Sequence, residues 1–150
     1  MHDFVRELTR LRREYAYAFS PSSYGGGMAM SWKNTENAEM SDGDWTGRSI
    51  AIHYYADDDY QDEKELFVMI NMNRDDTDFQ LPTGRDWACV LDTQSWYDTP
   101  GPGESGTGWF SENPGEDPYQ TANIRLDDPV AVDTQQYNAK GSSIVILVEQ

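Results

Sequence analysis

Outside its acids, this 150-residue chain has few side chains that could move a proton or attack an electrophile: two histidines and one cysteine stand against 27 aspartates and glutamates. A serine or cysteine nucleophile needs a base and an orienting acid within hydrogen-bond reach. His53, between Ile52 and Tyr54, alternates like a half-buried strand residue rather than a poised base. Cys89 is alone, so it closes no disulfide within the chain and builds no four-ligand zinc site. Two carboxylates held about 5 to 10 Å apart in a cleft could hydrolyse a glycosidic bond. With acids scattered along the whole sequence no pair stands out, and no catalytic residue is assigned.

Two short motifs imitate binding loops. "GPGESG" at 101–106 has the glycines of a dinucleotide fingerprint, but Gly108 and Pro114 follow where a helix N-terminus must meet the pyrophosphate, so it reads as plain loop. "DGDWTG" at 42–47 places Asp42, Asp44 and Thr46 as in a calcium loop, yet His53 stands at the twelfth position where a bidentate Glu is required. It reads as a solvated turn, and neither a metal nor a cofactor is expected. Aromatic residues offer a different chemistry. Trp96, Tyr97, Trp109, Phe110 and Tyr119 sit in a segment, 94–121, with five Gly and four Pro. Loop aromatics can stack on sugar rings or on a protein partner, or fold back and pin the loop; Trp96, Tyr97 and Trp109 are the candidate carbohydrate-binding residues.

Charge narrows the partners. The net charge is −16 with a pI near 4.2, so the Lys/Arg footprint that nucleic acid requires is missing. Residues 1–17 differ from the rest: four arginines against three acids leave them at +1, and the remainder at −17. No apolar run approaches the roughly 20 residues of a membrane span, and the N-terminus has no signal-peptide core. The expectation is a domain without membrane contact in a reducing, cytoplasmic setting.

These residues must be positioned by one helix and a set of strands. In 3–17, Phe4, Leu8, Leu11 and Tyr15 recur at helical spacing behind Asp3, a fitting N-cap. Strands are predicted at 28–32, 48–55, 65–73, 77–82, 86–93, 123–126, 131–138 and 142–149, with no helical segment between them. Lacking crossover helices, neighbouring strands should pair antiparallel, giving an all-β antiparallel sandwich or barrel preceded by one α-helix. The runs "ELFVMINMN" and "SSIVILVE" are apolar on both faces and should lie at its centre.

Taken in order, "FVRELTRLRREY", Trp32, "MSDGDW" (40–45), "RSIAIHY" (48–54), "LFVMIN" (66–71), "FQLP" (79–82), "WACVLDT" (87–93) and "SSIVILV" (142–148) resemble the C-terminal end of isoamylase-type glycogen debranching enzymes of the alpha-amylase superfamily. The resemblance covers nearly the whole chain; the 94–121 loop is longer and richer in Gly than its counterpart there. It implies a β-sandwich of the alpha-amylase C-terminal type over residues 20–150, and that residues 1–19 are the last helix of a (β/α)8 barrel. The stripe Phe4, Leu8, Leu11 and Tyr15 would then face that barrel or cement it to the sandwich. The barrel of the same parent chain would carry the carboxylates that hydrolyse α-1,6 branch linkages by a retaining mechanism. The leading expectation is a non-catalytic domain that stabilises this barrel and touches α-glucan at most along one wall. The alternative is a stand-alone carbohydrate-binding module using its loop aromatics.

Overall fold

The computed structural model describes residues 2–19, 29–55, 62–94 and 124–150. It opens with α1 (His2–Glu14), which after one turn residue continues as the short α2 (Ala16–Phe19). Eight strands follow: β1 (Ala29–Lys33), β2 (Ser49–Tyr55), β3 (Leu66–Asn71), β4 (Thr77–Gln80), β5 (Trp87–Asp92), β6 (Val130–Val132), β7 (Gln136–Ala139) and β8 (Ser143–Glu149). Six form one sheet in the order β1-β2-β3-β8-β5-β6, and β4 pairs with β7 in a second. Every strand pairing is antiparallel. The result is mostly antiparallel β-sheet with a helix near the N-terminus, an arrangement compatible with a β-sandwich.

The doubly apolar strands β3 and β8 lie side by side in the middle of the large sheet. Leu66, Val68, Ile146 and Val148 point to one face, where the helical segment covers them with Leu11, Tyr15 and Ala18. Phe67, Met69, Val145 and Leu147 point to the other, where the small sheet covers them with Phe79 and Ala139. Strand alternation therefore sends each apolar set to its own layer. On the small sheet the polar complement, Asp78 and Asn138, faces outward and is joined by a hydrogen bond from Asn138 Nδ2 to Asp78 Oδ1 (2.7 Å).

Two predicted strands turn out differently. Residues 131–138 divide between both sheets, β6 pairing with β5 and β7 with β4. The intervening Asp133, Thr134 and Gln135 are exposed and have no apolar face to bury, so the chain crosses between layers there. Of 123–126, Ile124 makes an isolated bridge to Leu91 and no strand forms. Strand β5 carries an irregularity that sequence did not announce. Cys89 pairs with Leu147 but Leu91, two residues on, pairs with Ile146, so one extra residue is accommodated. The bulge puts Val90 and Leu91 both in the helix-side core and turns Asp92 to the small-sheet side. There the Tyr137 hydroxyl donates to Asp92 Oδ2 at 2.7 Å.

Leu11 is 3% exposed at the centre of the helix-to-sheet contact, whereas Val5 on the same helix is 55% exposed. Leu11→Ala is expected to lower unfolding free energy by about 2–4 kcal/mol through lost burial and the cavity it leaves. Val5→Ala should stay within about 0.5 kcal/mol. Urea denaturation of both variants checks the pair, and equal losses would contradict the packing described.

Candidate functional site

The register of the large sheet sorts its residues into two faces, and their edges differ. On the small-sheet side, rows run Ser31–His53–Phe67–Leu147–Cys89 and Lys33–Ala51–Met69–Val145, ending in Ser49–Asn71–Ser143. Where that face is incompletely buried its residues are mostly polar, Ser31, Lys33, Ser49 and His53, with Tyr55, 36% exposed, beside them. On the helix side the rows run Met30–Tyr54–Leu66–Val148–Ala88 and Trp32–Ile52–Val68–Ile146–Leu91, ending in Ile50–Ile70–Ile144. Beyond the helix that face stays apolar. Met30, Trp32 and Ile144 are 48%, 37% and 40% exposed, and Met72, one step past β3, is 62% exposed.

Trp45 extends this surface. It sits in a single 3-10 turn, Asp44–Thr46, and its ring meets that of Trp32 edge-on at 5.9 Å between centroids. The turn is held by Asp44, whose Oδ2 accepts from both the backbone N–H and the hydroxyl of Ser41 (2.8 and 2.6 Å). These bonds keep the Asp44 carboxyl below its ordinary pKa. The acid of "DGDWTG" is thus engaged in turn architecture, and among the described residues no three His, Cys, Asp or Glu side chains gather as a metal site.

Of the residues singled out from sequence, Leu11 and Tyr15 are buried against the chain's own six-stranded sheet, with Phe4 and Leu8 partly buried beside them. Trp96, Tyr97 and Trp109 lie outside the described residues. Trp32, Trp45, Met30, Met72 and Ile144 were not singled out as site residues. The alternation in "MAMSW" hints at a shared face for Met30 and Trp32, but only the register shows that this face continues through Ile50 and Ile144.

The groups best suited to acid, base or nucleophile chemistry are engaged elsewhere. His53 Nε2, as the protonated tautomer nitrogen, donates to Glu65 Oε2 at 2.9 Å. Arg85 donates to Glu65 Oε1 at 2.9 Å, and its Nε forms an ion pair with Glu149 Oε1 at 3.0 Å. The cluster ties together β2, the approaches to β3 and β5, and the end of β8. Burial among Phe67, Trp87 and Tyr55 lowers the His53 pKa, outweighing the Glu65 pair that raises it. Glu65, only 4% exposed, is itself raised by burial, but hydrogen bonds from Arg85 and His53 prevail and hold it below its ordinary value. Cys89 is buried, and burial pushes its thiol far up, so it is no thiolate nucleophile at neutral pH. Its Sγ–H points to the Leu91 carbonyl at 3.3 Å. The described residues hold an ion cluster that clamps strands and an apolar surface, and no nucleophile–base pair.

Comparison of the sequence with protein-family models, and separately with curated proteins, returned no match.

His53 makes stability pH-dependent with a definite sign. A histidine whose folded pKa lies below its unfolded value of about 6.5 binds fewer protons in the native state, so its contribution is present above that pH and is lost as pH falls. Urea melts between pH 7.5 and 5.5 are expected to show stability falling by at most about 1.4 kcal/mol per pH unit from this one group. In His53→Gln that slope disappears. Charge repulsion across the −16 chain relaxes equally in both proteins, so the difference between their slopes isolates His53.

Proposed function

We propose that this chain is the non-catalytic C-terminal β-domain of an isoamylase-type debranching enzyme, acting on α-1,6 branch linkages of glycogen or a related α-glucan. In this reading the hydrolytic carboxylates belong to a (β/α)8 barrel of the same parent chain, and the present domain stabilises that barrel. The sequence resemblance suggests the family; the observation that carries the role is the helix-side face of the large sheet, which the described residues cover incompletely. A helix is about 10–12 Å across with its side chains, while six strands spaced about 4.8 Å apart are more than twice as wide. One helix cannot cover such a face. On the opposite face the incompletely buried margin is mostly polar, with Tyr55 as its exposed aromatic, whereas here it is Met30, Trp32, Ile144 and Met72. Apolar surface of this kind, opposite a mostly polar margin, marks an interface.

Helix α1 fits the same reading, because its apolar stripe is buried most at its end and least at its beginning. Leu11, Tyr15 and Ala18 are in the core, while Phe4 and Leu8 are half-buried and Val5 is exposed. The first turns and the uncovered sheet margin would share one partner. That partner is the barrel.

The test is hydrolysis. The 150-residue chain by itself is expected to release no linear chains from glycogen, and the parent chain containing the barrel is expected to release them. Turnover by the isolated chain, or a parent chain inert on branched glucan, would sink the reading. Replacing Trp32 and Ile144 together by Ser should lower the melting temperature of the parent chain more than that of the isolated domain. An equal drop in both would place the barrel elsewhere.

A further inference from the structure

In a chain with 27 acids an arginine without a partner stands out. Arg6, Arg10, Arg85 and Arg125 are paired; among the described residues the side chains of Arg12, Arg13, Arg48 and Arg74 have neither an ion pair nor a hydrogen bond. The first three belong to the helix side of the large sheet, the side whose margin is apolar.

Arg48 is placed there by pairing. Its carbonyl accepts from the Met72 N–H at 2.7 Å, one step beyond the Ser49–Asn71 pair, so its side chain shares the face of Met72 and Ile50 and points away from that of Ser49. Asp44, on the same loop, is held by Ser41 instead. Arg12 is placed by the helix. The flank of α1 that bears Glu7, Arg10 and Glu14 faces the 124–128 segment, where Arg10 meets Asp127. Val5 and Arg12, about two turns apart, share the other flank, and both are exposed. The acids along the helix are thus spent on Arg6 and Arg10, and the flank turned away from them keeps its cation free.

Whatever closes over this side must answer those charges. A guanidinium shut off from water without a partner is strongly unfavourable, and its planar fork is matched by a carboxylate through two parallel hydrogen bonds. A nucleic acid or an anionic lipid surface is repelled by the −16 of the whole chain, whereas a protein surface can meet a few cations locally and pack on the apolar side chains between them.

We propose that the protein surface covering this margin is acidic, and that its carboxylates pair with Arg48 and Arg12 while its apolar side chains pack on Trp32, Ile144 and Met72. The occupant is the barrel of the parent chain, an identification that rests on the debranching reading; the acidity of its contact surface rests on the arginines.

The experiment changes these charges, by Arg48→Glu and by Arg12→Gln, in the parent chain and in the isolated 150-residue chain. Arg48→Glu is expected to lower the melting temperature of the parent chain by about 2 °C or more and to leave that of the isolated chain within about 1 °C. Arg12→Gln should act in the same direction by less, and Arg48→Lys, which keeps the charge, should lose less than Arg48→Glu. Salt at about 1 M should shrink the parent's loss, because the repulsion behind it is screened. Equal losses in both chains, or a parent loss that salt does not touch, overturn the acidic contact. Binding of the isolated chain to phosphatidylglycerol vesicles, abolished by Arg48→Glu, overturns it too, by assigning the cations to a membrane. A parent chain that debranches glycogen and is indifferent to both substitutions sinks this inference alone. A parent chain inert on glycogen yet selectively weakened by them sinks the debranching reading and leaves the acidic contact standing.

Discussion

The adjacency of β3 and β8 governs the rest of the structure. Both strands are apolar on both faces, so their pairing creates a sheet centre that water cannot be allowed to reach from either side. Such a sheet needs two covers, and the described residues supply two of unlike kind: a helix before the strands and a two-stranded sheet assembled from segments on either side of β5. The acids follow from the same constraint. With a charge of −16 the carboxylates must stay near solvent or be paired, and the two most buried ones show how pairing is achieved. Glu65 holds His53 and Arg85, while Asp92 accepts from Tyr137 and from the backbone N–H of Gln94 (2.9 Å).

The bulge in β5 is the device that makes the second pairing possible. With regular alternation Asp92 would enter the helix-side core among Val90, Ile146 and Ile124, where no polar partner waits. The extra residue turns it to Tyr137, whose hydroxyl is held protonated, far above its ordinary pKa, first by burial and then by the neighbouring Cys89 and Asp92. Cys89 packs against the same phenol at 3.6 Å, so the small sheet is anchored to the large one by a polar contact inside an otherwise apolar layer. A buried network of this kind fixes how two layers sit on each other more than it adds to stability.

Much of this was legible in the residues. The helix stripe, the doubly apolar strands and the antiparallel order all follow from periodicity, because side-chain spacing of 3.6 and 2 is set by the backbone itself. What periodicity cannot supply is register. The exposed apolar margin exists because Met30, Trp32, Ile144 and Met72, far apart in sequence, fall on one face once pairing is set. Arg48 comes to lie beside Met72 by the same pairing. The division of 131–138 between two sheets is hidden in the sequence for a related reason: β propensity in "AVDTQQYN" says that strands form, and nothing local says that they belong to different layers.

The opening helix is where these constraints meet. It differs in charge from everything after it, yet charge is a minor part of what holds it. Arg10 pairs with Asp127 and with Glu7 and Glu14, all at the surface, where ion pairs contribute little. Burial of Leu11, Tyr15 and Ala18 fastens its last turns. Its first turns have only Phe4 and Leu8 half-covered, so the grip weakens toward the N-terminus, on the same side of the sheet where the apolar margin is left open. In the reading proposed above, a helix held firmly at one end and loosely at the other would be shared with the barrel. Its arginines would then serve that contact, since they lie on the one segment of this acidic chain that is not itself acidic.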